Sequence, residues 1–139
     1  MIDLRRGLDY LETRGDIDTN RIAVYGYSQG GESSLIYAAI ENRCRLLIII
    51  GVGLPKASLG WIAEASPLNF APHIRASKLV LNGRYDEASP FKTDAEPLFK
   101  LLSEPKRLVL YDGSHTPPSE VAVPVINKWL DENLGIPKS

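Results

Sequence analysis

Cysteine, histidine and long apolar runs are scarce in this sequence, and each scarcity excludes a class of protein. Cys44 is the only cysteine, so no internal disulfide can form, and no Cys or His cluster indicates a zinc site. The longest apolar run, residues 46–52, is interrupted by Gly51 and is too short to cross a bilayer. Basic and acidic residues are interspersed and the net charge is -1, which argues against a nucleic-acid binding partner. We therefore expect no metal, no cofactor, no nucleic acid and no membrane partner.

The length and composition are those of one globular domain. A chain of 139 residues predicts a single domain, 1–139, that can bury a sizeable core. The N-terminus begins with a charged amphipathic stretch, whereas a signal peptide needs an apolar run after its basic residues. The cytoplasm is accordingly the expected location.

Apolar periodicity predicts helices and strands that alternate along the chain. The predicted helices cover residues 2–13, 30–41, 90–102 and 119–134, with a short helix within 68–74, and the predicted strands cover 21–25, 46–50, 78–82 and 107–111. We expect Pro97 to kink or split its helix and Pro124 to delay the start of the last one. This order predicts an α/β fold with a parallel sheet of about four strands and helices on both faces. The carboxyl ends of such strands share one edge, where ligands bind.

Residues 26–30 read Gly-Tyr-Ser-Gln-Gly, a match to G-x-S-x-G between a predicted strand and a predicted helix. In that context the serine lies on a sharp turn, and small residues two before and two after it prevent clashes. The N-terminal N–H groups of the next helix also favour developing negative charge at this point. The motif therefore predicts Ser28 as a nucleophile.

A serine nucleophile needs a base, and the base needs a carboxylate that orients it. Of the two histidines, His115 follows the last strand and lies at the same sheet edge as Ser28, whereas His73 lies in an irregular region. Asp86 follows the third strand, and we choose it over its two competitors, Glu87 and Asp112. The resulting chain order of nucleophile, acid and base is that of one hydrolase fold.

The stretch from Asp16 to Leu35 resembles the nucleophile region of the α/β-hydrolase superfamily, in its dienelactone hydrolase, acetyl xylan esterase and prolyl oligopeptidase-like branches. Residues 81–86 resemble the acid loop of that superfamily and residues 113–115 its histidine loop. The resemblance implies the last four strands of an eight-stranded sheet, a truncated α/β-hydrolase fold. It also implies that the backbone N–H of Gln29 is one oxyanion donor and that the loop supplying the second donor is absent.

The resemblance implies a serine hydrolase of the carboxylesterase type, which cleaves small acyl esters through a Ser28–His115–Asp86 triad. We expect Tyr27, Trp61 and Tyr85 to line the substrate pocket. Two alternatives stay open: a peptidase of the oligopeptidase-like branch, and a catalytically weak half-domain that acts as an assembly module.

The strand at 21–25 is flanked on both sides in the parent fold, and one of its neighbours belongs to the absent half. That side should be an open, apolar edge free of proline, and such edges pair readily with another chain. The sequence therefore predicts a homodimer or higher homo-oligomer that covers this edge.

Overall fold

The computed structural model describes residues 1–54 and 63–136, and its centre is a four-stranded parallel sheet. The strands lie in the order β1-β2-β3-β4, so each is adjacent to the strand that precedes it in the chain. Their bounds are β1 Ala23–Tyr27, β2 Leu46–Ile50, β3 Ser77–Gly83 and β4 Lys106–Tyr111. β2 is buried along its whole length and β3 along all but its first residue, which accounts for their largely apolar sequences.

Helices pack on both faces of this sheet, and the predicted α/β architecture is confirmed. Their bounds are α1 Ile2–Glu12, α2 Gln29–Ile40, α3 Pro67–Phe70, α4 Glu96–Leu101 and α5 Ser119–Leu134. Alternate residues of β2 face opposite layers, with Leu47 and Ile49 toward α2 and α4, and Ile48 toward α5. α1 packs against α2 and β1 through Leu8. No helix within the two described ranges is both long and apolar enough to cross a membrane.

Two prolines affect their helices differently. Pro97 lies in the first turn of α4, and residues 91–95 before it form a single π-helical turn, so the helix predicted over 90–102 is split there. The expectation that Pro124 delays the last helix is wrong, because α5 begins at Ser119 and contains that proline. The N–H groups of Val121 and Ala122 already bond to the carbonyl of Pro118, so the first turn closes before the proline is reached.

The strand predicted at 21–25 begins and ends two residues later. Residues 19–21 form a 3-10 turn whose Asn20 N–H donates to the Asp18 carboxylate at 3.0 Å. At the other end, Gly26 and Tyr27 continue the strand opposite Ile49 and Ile50. β1 lies at one edge of the sheet, and its last residue leads directly into the serine turn.

Candidate active site

Ser28 lies at the turn between β1 and α2, with a backbone φ of 52° and ψ of -125°. It is the only non-glycine residue with positive φ among the residues that the structure describes, and such a conformation stores strain. Its N–H donates to the Ile50 carbonyl at 2.9 Å, which ties the turn to β2. The Ser28 hydroxyl does not cap α2, so it is available for other contacts.

The glycines that make this turn possible are Gly26 and Gly31. A Cβ on Gly26 would lie 2.6 Å from the Gly31 Cα, and a Cβ on Gly31 would overlap the Val52 side chain. Gly30 has open space at its Cβ position, so the expectation that the second glycine of the motif prevents a clash is wrong. α2 crosses β1 three residues after Ser28, at Gly31, so Gly31 is the glycine that prevents the clash.

A continuous hydrogen-bonded relay joins Ser28, His115 and Asp86. The Ser28 Oγ lies 2.9 Å from the His115 Nε2, and the His115 Nδ1 lies 2.8 Å from the Asp86 Oδ2. These residues follow β1, β4 and β3, whose carboxyl ends meet at one edge of the sheet. The Asp86 side chain is fully buried and the His115 ring is a quarter exposed, so the relay runs from the interior toward the surface.

Backbone donors and a buried amide hold the Asp86 loop. The N–H groups of Ala88 and Ser89 both donate to the Asp86 Oδ1, at 2.9 and 2.8 Å. The fully buried Asn82 amide donates to the carbonyls of Gly83 and Ser89, at 3.0 and 3.1 Å, and so joins the two ends of the loop. Asp86 therefore has a fixed position before any substrate binds.

The histidine loop is held by Tyr111, the last residue of β4. Its hydroxyl donates to the carbonyls of Ser114 and His115, at 2.7 and 2.9 Å. Burial, with the nearby Asp86 charge, raises the pKa of Tyr111 to about 12, so this hydroxyl stays a donor at neutral pH. Neither Asn82 nor Tyr111 stands out in the sequence, because each ends an apolar strand.

Two further glycines let the loops approach one another. Gly51 has a φ of 61°, and a Cβ there would lie 2.8 Å from the His115 Cε1. A Cβ on Gly83 would overlap the carbonyl oxygens of Gly113 and Ser114. The imidazole thus packs directly on backbone, which restricts its orientation.

The alternative candidates for the base and the acid lie outside the relay. His73 is exposed in a 3-10 turn before β3, at the opposite end of the sheet from Ser28. Glu87 is exposed although its neighbour Asp86 is buried, and Asp112 is exposed next to the end of β4. The structure therefore brings together the three residues that the sequence predicted and leaves their competitors outside.

An open cleft of ≈ 330 Å³ lies beside the relay. Its lining includes Ser28, Gln29, His115, Leu54 and Glu32, a buried carboxyl that the sequence reasoning did not single out. The Gln29 N–H, at the first position of α2, donates to no acceptor within the described ranges. It is therefore available to an oxyanion, and its role as an oxyanion donor stays a prediction.

Among the described residues, the lining of this cleft includes neither Tyr27 nor Tyr85, two of the aromatic residues predicted for the substrate pocket. Tyr27 bonds through its hydroxyl to the Thr116 Oγ1 at 2.6 Å, and its ring lies 5.2 Å from that of His115. Tyr85 is 68% exposed on the acid loop. Trp61 lies outside the described residues. A substrate contact for these side chains stays a prediction.

The comparison with known proteins identifies the fold. No protein-family model matches the sequence. The chain is similar to an acetyl xylan esterase from Paenibacillus sp. R4, with a TM-score of 0.78 and 22% identity over 94% of this chain and 51% of that one. It is also similar to an α/β hydrolase from Penicillium sp. sh18, with a TM-score of 0.77 and 15% identity over 96% of this chain and 71% of that one.

A third similar structure is a puromycin-hydrolyzing peptidase from Mycobacterium tuberculosis, with a TM-score of 0.78 and 19% identity over 94% of this chain and 24% of that one. The chain spans about half the length of the acetyl xylan esterase. Its four-stranded sheet is therefore part of an α/β-hydrolase fold.

Proposed function

We propose that this protein is a serine hydrolase of the carboxylesterase type that cleaves small acyl esters through an acyl-enzyme. The observation that carries the proposal is the relay from the Ser28 Oγ through His115 to the buried Asp86, with distances of 2.9 and 2.8 Å. A serine with a base in hydrogen-bond reach, and a base held by a third group, is the arrangement of an activated nucleophile. The strained turn at Ser28 is the feature expected of a nucleophile elbow.

The geometry supports a two-step reaction. The His115 Nε2 takes the proton as the Ser28 Oγ attacks the acyl carbon, and it then gives that proton to the leaving alcohol. The Asp86 carboxylate accepts a hydrogen bond from the His115 Nδ1–H, so the unprotonated Nε2 faces the serine, and the carboxylate stabilises the imidazolium. Water then attacks the acyl-enzyme with His115 again as base, which releases the acid and restores Ser28.

The oxyanion of the tetrahedral intermediate would bind to the Gln29 N–H at the start of α2. The helix N-terminus adds a favourable dipole at this point. Loss of one donor from an oxyanion hole lowers the rate by about 10²–10³. We therefore expect turnover well below that of a hydrolase with two donors unless a second donor is supplied from elsewhere.

The size of the cleft supports a small acyl group over a peptide. A volume of ≈ 330 Å³ is near the lower end for small-molecule sites, which run from about 300 to about 1,000 Å³. We expect hydrolysis of p-nitrophenyl acetate to exceed that of p-nitrophenyl octanoate and of peptide p-nitroanilides. Faster cleavage of an anilide would favour the peptidase instead.

A fluorophosphonate probe tests the proposal, because it labels an activated serine and leaves an inert one untouched. The wild-type chain and a Ser33→Ala control should be labelled and should turn over p-nitrophenyl acetate, whereas Ser28→Ala should do neither. Labelling or unchanged turnover in Ser28→Ala would disprove the assigned nucleophile. A folded wild-type chain that is not labelled would favour the assembly module instead.

A further inference from the structure

Arginines that lack a carboxylate partner are concentrated at one end of the sheet. Nine arginines lie in the described ranges, and four of them form ion pairs: Arg5, Arg14, Arg43 and Arg107. Three of the remaining five, Arg21, Arg45 and Arg75, line one open cavity of ≈ 730 Å³, the arginine cavity. Each guanidinium has five N–H donors and a permanent positive charge.

The backbone holds these three arginines side by side. Arg21, Arg45 and Arg75 stand one or two residues before the starts of β1, β2 and β3. The Arg45 N–H donates to the Ile22 carbonyl at 2.9 Å, and the Arg45 carbonyl accepts from the Ser77 N–H at 3.0 Å, so the three segments are joined before the strands begin. Neighbouring strands lie about 4.8 Å apart, so the three side chains are attached to backbone positions spread over about 10 Å.

The positive charge of the arginine cavity exceeds its negative charge. Among the described residues that line it, Asp18 supplies the one carboxylate, and its Oδ1 accepts the Asn20 N–H at 3.0 Å. The Arg21 Nη2 donates to the Gly135 carbonyl at 2.6 Å, which fixes the side chain and leaves its charge uncompensated. Three guanidiniums and one carboxylate give the lining a net charge of about +2, which favours an anionic ligand.

We propose that the arginine cavity binds a small polyanion, a compound such as a diphosphate in which two or more phosphate or carboxylate groups are linked. An arginine fork binds such a group through two parallel charge-assisted hydrogen bonds. Linked groups can pair with guanidiniums attached at positions about 10 Å apart, whereas a single group matches fewer of them. The amides of Asn20, Asn42 and Asn133 line the same cavity and provide donors and acceptors for the rest of the ligand.

This cavity is separate from the candidate active site. It lies at the amino ends of the strands, whereas the relay of Ser28, His115 and Asp86 follows their carboxyl ends. The five residues of β2 separate the two ends by about 16 Å. A polyanion can therefore bind without displacing an ester, and its binding does not depend on the proposed hydrolase activity.

Isothermal titration calorimetry with inorganic pyrophosphate tests the proposal. The wild-type chain should bind one pyrophosphate with a Kd below about 1 mM, and rising salt should weaken the binding. Orthophosphate should bind at least about 10-fold more weakly, and a parallel titration with citrate distinguishes a phosphate ligand from a carboxylate ligand. Arg45→Gln and Arg75→Gln should each weaken pyrophosphate binding at least about 10-fold. Arg6→Gln removes the same charge from an exposed position on α1 and should bind as the wild type does.

Urea unfolding without ligand should show that these variants are as stable as the wild type, because all three side chains are exposed and form no ion pair within the described ranges. The absence of saturable binding of both pyrophosphate and citrate at about 10 mM would overturn the proposal. An equal loss in Arg6→Gln would also overturn it, because the anion would then respond to the charge of the whole chain. Orthophosphate binding as tight as that of pyrophosphate would exclude a polyanion site.

Discussion

Replacement of Asp86 by asparagine should disable the proposed relay and leave the fold intact. Both loop N–H groups donate to the Asp86 Oδ1, so that atom must remain an oxygen in the variant. The amide nitrogen then takes the place of Oδ2, 2.8 Å from the His115 Nδ1. An NH₂ group there donates to Nδ1 and moves the ring proton to Nε2. Since Nε2 faces the Ser28 Oγ at 2.9 Å, it can no longer accept the serine proton.

We expect Asp86→Asn to lower kcat by a factor of about 10⁴, which is the loss typical of a triad whose imidazole is held in the wrong tautomer. KM for p-nitrophenyl acetate should change little, because the carboxylate is buried behind the imidazole. Urea unfolding should show that the variant is folded, since its loop hydrogen bonds are retained. Glu87→Gln and Asp112→Asn remove exposed carboxylates and serve as matched controls. A kcat within 10-fold of wild type for Asp86→Asn, or a severe loss in either control, would refute the reasoning.

Three further outcomes follow from the same contacts. His115→Ala should lower turnover as much as Ser28→Ala, because the two act as one unit, and a silent variant would disprove the assigned base. Tyr111→Phe should lower kcat about 10-fold at constant KM, since the histidine loop loses its hydroxyl donor; a change in KM alone would contradict this. The hydrogen-bonded Arg43 guanidinium holds the pKa of Glu41 down to about 2, from 4.5. The resulting stabilisation of about 3 kcal/mol is present above pH 4.5 and lost as the pH falls toward 2. Glu41→Gln should lack this pH-dependent stabilisation when its free energy of unfolding is measured in urea at several pH values. The same loss of stability below pH 4.5 as in the wild type would contradict the assignment.

The sequence was informative where a single physical signal dominated. The apolar runs predicted the β2 strand at its observed bounds and the other three within two residues, because a buried parallel strand needs continuous apolar residues. The chain order of Ser28, Asp86 and His115, each after a strand, sufficed to predict that they meet. Only their positions in the sequence distinguished Asp86 from its neighbour Glu87 as the candidate acid. In the structure Asp86 is buried and Glu87 is exposed.

Other parts of the site depend on contacts that no local pattern encodes. Asn82 looks like the polar end of an apolar strand, and only the fold shows that its amide joins both ends of the acid loop. The role of Gly31 depends on where α2 crosses β1, so the motif alone pointed to Gly30. The carboxyl of Glu32 lines the cleft because α2 turns it inward, and a helical pattern of small residues gives no sign of this.

The contacts that hold the relay all come from the four strands of this chain and the loops that follow them. The relay residues follow β1, β3 and β4, and Ser89 bonds to the carbonyl of Gly51 after β2, so the described strands supply the contacts that hold it. Strands added beyond β1 would pair with its free edge, and no hydrogen bond of the relay involves that edge. The geometry of nucleophile, base and acid is therefore a local property of this half-sheet. Rate and assembly are not local in the same way, since the proposed second oxyanion donor and any strand that pairs with β1 would both come from outside these four strands.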